Sequence, residues 1–368
     1  MYTHIIRTFG TNAYILDCVI SDHYTKVGND VGLATITIPA NHAAVTGMEL
    51  DDQVEIYRAD RHPASRAPAV RDFRGLYRGY TLRTLDSGLD VADLFLFHEN
   101  EILRRSINAY AAGQFLVTTW PGSTVTMAML TTAANNFNSA TIDLTATYTR
   151  LTPASSILVG LDSGGYTGPT IGVYTNAYQN VLTSLQELAA LDNAVFVMTK
   201  ASPPAATWIL RIRGITFATD RRATVIFDVD QENMALAALD LRLIGETNVA
   251  FVGGQGEGAS RVVRVRTSAN RNIANNNYES FVDGRQFADN AALDAYGDSA
   301  INAKRARPLL NFEPVQLPSF NYGRHYFWGD VVTVRHGGQT FVQRIKQVSV
   351  EYNAVTGERI ELGFEELP

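Results

Sequence analysis

Apolar and polar residues alternate through most of this chain, and a period of two predicts short strands. The closing segment shows it most clearly. Strands are predicted there over Asp330–Arg335, Phe341–Tyr352 and Glu358–Phe364. In the last of these, Ile360, Leu362 and Phe364 fall on one face, and Arg359 and Glu361 on the other. Hiding each apolar side chain contributes roughly 1.5–3 kcal/mol. His336-Gly337-Gly338-Gln339 turns the first pair, because paired glycines accept the positive φ of a tight hairpin. Asn353-Ala354-Val355-Thr356-Gly357 turns the second.

Residues 1–97 carry the same signal. Ala13–Ile20, Leu33–Pro39, Asp52–Arg58, Gly75–Arg83 and Leu89–Phe97 are predicted strands, with a turn at Lys26–Asp30. Ala34, Ile36 and Ile38 alternate with Thr35 and Thr37. Asp60–Asp72, holding Pro63 and Pro68, is expected to be an exposed loop. This spacing suits a small barrel or sandwich.

The period changes at His98. Glu99–Tyr110, Ser123–Asn136 and Asn176–Leu191 have helical spacing, and strands are predicted at Ala194–Thr199 and Trp208–Arg213 around a Ser202-Pro203-Pro204 turn. Residues 98–228 are therefore expected to form an inserted α/β domain. Strands return in 229–368: Met234–Ile244, Asn248–Gly253 and Val262–Arg266, then a helix over Ala288–Arg307 ended by Pro308. That gives a second β-barrel-like domain with a helical insertion at about 254–311. The fold class expected is mainly β with an α/β insertion.

At 368 residues the chain exceeds one ordinary core. Hydrophobic residues at 46% and charged ones at 18% suit a packed protein rather than a disordered one. A net charge of −6 argues against a dedicated nucleic-acid binder. The single cysteine, Cys18, excludes an internal disulfide and a multi-thiolate zinc site, and is read as a filler in a strand. No signal peptide and no membrane span are expected.

Several patterns invite chemistry and fail on inspection. Gly253-Gly254-Gln255-Gly256-Glu257-Gly258 is glycine-rich, but Ala259-Ser260-Arg261 and a strand follow, where a phosphate loop needs Lys, Ser or Thr and a helix. It is read as a sharp turn between strands. His98-Glu99-Asn100-Glu101-Ile102 begins like a zinc-protease helix, yet Ile102 stands where the second histidine belongs. His4, His23, His42, His62, His98, His325 and His336 are scattered, none at metal-ligand spacing. No Gly-x-Ser-x-Gly elbow is present. Arg261, Arg264, Arg266 and Arg271 make a local basic patch, expected to pair with an acidic neighbouring subunit rather than nucleic acid. Tyr322, Tyr326, Phe327 and Trp328 fit a core or interface better than a sugar platform. No catalytic, cofactor-binding or metal-ligating residue is assigned.

A resemblance adds what these patterns do not. The run from Tyr322-Gly323-Arg324 through Trp328-Gly329-Asp330-Val331 to Val334 is similar to the closing pattern of bacteriophage tail-tip hub proteins. There an aromatic stretch and Gly-Asp-Val precede a strand ending in Arg-Ile and a long hairpin, as Arg344-Ile345 and Glu351–Phe364 do here. Val252–Gly258 followed by Arg261, and Tyr278–Asp283, look like the segments upstream of it in siphophage hubs. Leu33–Pro39 and Asp52–Arg58 are similar to the hub's first barrel; the middle region is matched by position alone.

The resemblance implies a structural protein of the virion tail tip with no catalysis and no cofactor. It implies a homotrimer whose two barrel-like domains per chain adapt a sixfold tube to a threefold tip around the DNA exit channel. Partners would be the distal tail or tube ring, central tip or fibre proteins and the tape measure. DNA would pass without specific binding, and the acidic balance suits that passage. No appended lysin or peptidase domain is expected. The alternatives are a tail-associated cell-wall hydrolase using Asp and Glu of the 98–228 region, and a receptor- or sugar-binding module using the Tyr322–Trp328 aromatics.

Overall fold

The alternating segments do become strands, and one of the two longest stitches the two ends of the chain together. The computed structural model describes residues 2–9, 13–60, 69–105, 116–119, 141–143, 147–149, 159–162, 164, 166, 173–176, 179–191, 193–200, 208–214, 217–240, 245–305 and 309–367. In chain order the first strands are β1 (Tyr2–Phe9), β2 (Ile15–Leu16), β3 (Ser21–Val27), β4 (Leu33–Pro39), β5 (Gln53–Asp60), β6 (Val70–Thr84) and β7 (Asp90–His98). Then come β8 (Leu116–Thr119), β9 (Thr141–Asp143), β10 (Thr147–Thr149), β11 (Val159–Asp162), β12 (Val173–Asn176), β13 (Val195–Lys200) and β14 (Trp208–Arg213). The last are β15 (Ile226–Asp228), β16 (Met234–Asp240), β17 (Val249–Gly253), β18 (Val263–Thr267), β19 (Glu279–Asp283), β20 (Leu309–Pro314), β21 (Val331–His336), β22 (Gln339–Asn353) and β23 (Gly357–Glu366).

The chain divides into two units. One comprises Met1–Glu101, Ala218–Ala238 and Asn311–Pro368; the other comprises Ile102–Phe217 and Leu239–Leu310. In the first, eleven of the described strands make one sheet in the order β15-β21-β22-β3-β4-β7-β6-β5-β1-β2, with β23 also on β22. β22 holds this together. Its start pairs with β21, its second half with β3, and residues 343–353 with β23. The 1–97 strands and the closing hairpins therefore share one sheet. Among the described residues the ladder is open, and no closed barrel forms.

Burial explains the pattern. Ile6, Tyr24, Ile36, Ile38, Ile56, Phe73 and Leu94 are wholly or almost wholly buried in the first unit. Val332, Val334, Val348 and Val350 come to the same state from the closing hairpin. A second apolar centre surrounds Phe227, whose ring lies 5.1–5.9 Å from those of Phe312, Phe320, Tyr326 and Phe364.

The second unit packs helices on small sheets. Asn180 caps the helix Val181–Ala190, its side chain accepting from Leu182 N–H and Thr183 N–H. The β18-β17-β19 sheet carries the helix Asn290–Ala303 on one face. Ala250, Val252, Phe287, Leu293 and Ile301 fill that contact with Leu188 of the earlier helix. Gly297 sits where a Cβ would collide with Val252 and Arg266, so the helix can lie this close to the sheet.

Some sequence expectations need correcting. The strand over Ala13–Ile20 shrinks to Ile15–Leu16, because Ile20 N–H already reaches across to Thr37 C=O at 2.9 Å. The turn at Lys26–Asp30 follows a strand the alternation missed, β3, whose buried positions are Asp22 and Tyr24 rather than aliphatic residues. β6 begins at Val70 inside the expected loop, pairing Val70 with Arg58. Of the helix expected over Glu99–Tyr110, Glu101–Arg104 is helical, Glu99, Asn100 and Arg105 are in turns, and residues 106–110 lie outside the described residues. So do the helix over Ser123–Asn136 and the Ser202-Pro203-Pro204 turn. No helix among the described residues is long and apolar enough to cross a membrane.

Candidate functional site

The densest polar chemistry in the first unit is a buried network on β3, β5, β6 and the segment leading into β21. Asp72 lies at its centre. Its Oδ2 accepts from Tyr24 Oη at 2.7 Å, and its Oδ1 accepts from Tyr322 Oη at 2.9 Å and Lys26 Nζ at 2.7 Å. Burial works against the Asp72 charge, but Lys26 and Arg58 outweigh it and hold the pKa down to about 2. Burial foremost, then the Asp72 charge, raises both phenols, so neither Tyr24 nor Tyr322 is a proton acceptor near neutrality. Arg58 donates Nε and Nη2 to Glu358 at 2.7 and 2.5 Å, and Nη1 to Tyr322 C=O at 3.0 Å.

Such a cluster looks catalytic until its solvent access is considered. Tyr24, Tyr322 and Arg58 are 0%, 1% and 4% exposed. Every hydrogen bond named for it runs to another member of the fold, leaving no open position for a substrate. The network joins β3, β5, β6 and β23 with the Tyr322 loop, and its work is structural.

The hub-like motif has a second polar centre at Asp330. Its side chain is 1% exposed, and it accepts from Thr219 N–H at 3.0 Å, Phe327 N–H at 2.9 Å and Arg221 Nε at 2.8 Å. Gly329, just before it, has φ +89°, which turns the chain into β21.

His98 is a third. Its ring sits 6.1 Å from that of Phe73, and its Nδ1 accepts from Asn100 N–H at 3.3 Å. Burial, with Lys26 and Arg74 adding to it, lowers its pKa from 6.5 to about 3. The unfolded chain gains a proton near pH 6.5 that the folded chain refuses until about pH 3. The stability this supplies is complete above 6.5 and is lost as pH falls towards 3. The slope is at most about 1.4 kcal/mol per pH unit, less here because the ring keeps some solvent. Urea midpoints are expected to drop between pH 7 and 5 by about 1–2 kcal/mol of stability, and His98→Asn, which keeps an acceptor for Asn100, to flatten that drop. Equal pH dependence in both proteins would refute it.

The other sequence candidates resolve as follows. The glycine run is a hairpin: Gly254 N–H bonds Val262 C=O at 2.7 Å, and Gly256 and Gly258 take φ +98° and +54°. The arginines pair within their own unit. Arg264 forks onto Asp294 and Arg266 onto Asp298, while Arg261 donates Nη2 to Asp283 Oδ1 at 2.7 Å and Nε to Gly254 C=O at 3.1 Å. Asp294 and Asp298 stand on the helix Asn290–Ala303 and Asp283 ends β19. Tyr326 is buried with Tyr322, which removes them as sugar platforms, while Trp328 Nε1 donates to Lys346 C=O at 3.0 Å. In the region proposed for a hydrolase, Asp162 pairs with Arg211 and Arg213, and Asp220 with Arg222. The β18-β17-β19 sheet leaves an apolar face bare: Val263, Val265 and Phe281 are 50%, 51% and 60% exposed.

Over residues 14–364 the chain matches the family described as Siphovirus ReqiPepy6 Gp37-like protein, and it belongs to that family. Its fold is that of phage tail proteins. It is similar to the tail protein of Neisseria meningitidis MC58, with 11% identity over 99% of this chain and 96% of that one, TM-score 0.62. It is equally similar to the 43 kDa tail protein of prophage MuSo2 from Shewanella oneidensis, with 10% identity over 99% and 98%, TM-score 0.62. A third likeness is to the Escherichia coli c3393 protein, a type VI secretion component described as structurally similar to the T4 tail proteins gp27 and gp5. Identity there is 7%, over 99% of this chain and 77% of that one, TM-score 0.54. No curated protein sequence matches significantly. Family and fold together make this a siphovirus-family protein with the fold of phage tail proteins.

Proposed function

We propose that the chain is the hub of a siphophage tail tip. Three copies form a ring that adapts the sixfold tube to a threefold tip and surrounds the DNA exit channel. The observation that carries this reading is the fold: 99% of the chain superposes on tail proteins, and also on a chain described as similar to T4 gp27 and gp5. The ring works through association with other tail proteins, namely the tube ring, central tip or fibre proteins and the tape measure. Three of the similar chains come from PdpA–VgrG complexes, which supports a role in assemblies of unlike subunits. The sheet that joins residues 1–97 to the closing hairpins is the wedge each copy gives to the collar. The bare apolar face at Val263, Val265 and Phe281 supplies surface for self-association. DNA passes by without specific binding, in keeping with the net charge of −6.

The test is copy number and symmetry. Electron microscopy of the virion is expected to find three copies of this chain around one axis at the tail tip. Mass photometry of the purified chain is expected to show trimer, and Phe281→Asp to shift it to monomer. Six copies around the tube, or copies away from the tip, would defeat the reading.

A further inference from the structure

We propose that Asp17, Cys18 and His42 form a three-ligand site for a zinc-class divalent cation. A carboxylate oxygen, a thiol sulfur and a ring nitrogen of these residues all lie within 4.8 Å of one another. In sequence Cys18 and His42 are well separated, so no spacing motif announces the site.

The backbone brings them together at β4. Ile20 N–H bonds Thr37 C=O at 2.9 Å, which fixes the Asp17–Cys18 segment beside the end of that strand. His42 follows β4 directly, its N–H bonding Pro39 C=O at 3.1 Å. It also caps the helix Ala43–Gly47 by accepting from Ala44 N–H at its Nδ1, 3.1 Å away. Cys18 and His42 are half-buried, whereas Asp17 is exposed, its side chain hydrogen-bonded with Cys18.

The donor set selects the metal. One thiolate, one imidazole and one carboxylate suit Zn²⁺, with bonds of about 2.0–2.3 Å and a water in the fourth position. Tetrahedral donors then stand roughly 3.5 Å apart, so the site closes by about 1 Å, mostly through the Asp17 side chain. Two negative ligands neutralise the cation. On binding, the thiol proton leaves to solvent. The metal takes the Nδ1 lone pair that had accepted from Ala44 N–H, Nε2 keeps its proton, and the cap bond is given up. The cation would tie the segment after β2 to the end of β4.

Cobalt(II) titration of the full chain tests this. One equivalent is expected to give a thiolate-to-cobalt charge-transfer band with tetrahedral visible bands, displaced by zinc. Zinc is also expected to slow maleimide labelling of Cys18. Cys18→Ser abolishes the band. His42→Asn, which keeps a capping side chain and hence the local fold, loses both band and protection. Asp17→Asn weakens both, and His23→Gln leaves them unchanged. No thiolate band in the folded wild type, or an undiminished band and protection in His42→Asn, would overturn the site.

Discussion

Replacing Arg58 by methionine is expected to destabilise the first unit by about 3–5 kcal/mol, measured by denaturant unfolding with circular dichroism. That is a large share of the roughly 5–15 kcal/mol by which a folded protein survives. The guanidinium is 4% exposed, and its pair with Glu358 joins β5 to β23, which are not ladder neighbours. Burial opposes the Arg58 charge, but the hydrogen bonds and charge of Glu358 outweigh it and raise its pKa. Methionine fills the aliphatic volume and leaves the Glu358 carboxylate, itself 7% exposed, without its partner. The cost therefore comes from a buried anion that loses two charge-assisted hydrogen bonds, not from a cavity. Adding Glu358→Gln removes that anion, so the double variant is expected to be less impaired than the two single losses summed. A loss under about 1 kcal/mol for Arg58→Met would show that the pair does not clasp the sheet.

Asp72 behaves differently under acid. Its charge is held to about pH 2, so the stability it adds is whole above its unfolded value near 3.8 and drains between the two. His98 begins to fail near 6.5, well before that. Mild acid thus acts first at the histidine, and strong acid at the network.

The sequence shows the sheet well and the network hardly at all, for a physical reason. Alternation reports which face of a strand is buried, so β4, β7, β21, β22 and β23 appear within a few residues of where they were expected. It assumes that buried means apolar. β3 breaks the assumption with Asp22 and Tyr24 inside, and β5 breaks it with Arg58. The signal that could have found the network is the motif itself. Gly323 has φ +84°, and a Cβ there would run into the Arg58 guanidinium, so the glycine after Tyr322 is demanded by a residue far earlier in the chain. Pairing between distant strands, such as β22 with β3, leaves no trace in local period. Nor could periodicity tell that Arg264 and Arg266 would face Asp294 and Asp298, because that match needs the sheet and helix already packed.

The motif's second demand falls on Asp330, where alanine is expected to cost about 3–5 kcal/mol. One buried carboxylate here satisfies two backbone N–H groups and Arg221 Nε at once. Removing it orphans Thr219 N–H and Phe327 N–H, each worth about 1–3 kcal/mol when unmet, and strands a guanidinium that is 31% exposed. The guanidinium can turn to water, so the backbone donors dominate. Asn keeps one side only: Thr219 N–H bonds Oδ1 while Phe327 N–H and Arg221 Nε bond Oδ2, so its single amide oxygen serves one of the two positions and its NH2 faces the donors at the other. Asp330→Asn is therefore expected to lose about half as much as Asp330→Ala. Arg221→Met, which spares the backbone donors, is expected to cost less than either. If Arg221→Met proved the most damaging of the three, the ion pair rather than the capped backbone would be what the Gly-Asp-Val motif provides. The loop before β21 would then have to be held by the aromatic contacts around Phe227 instead.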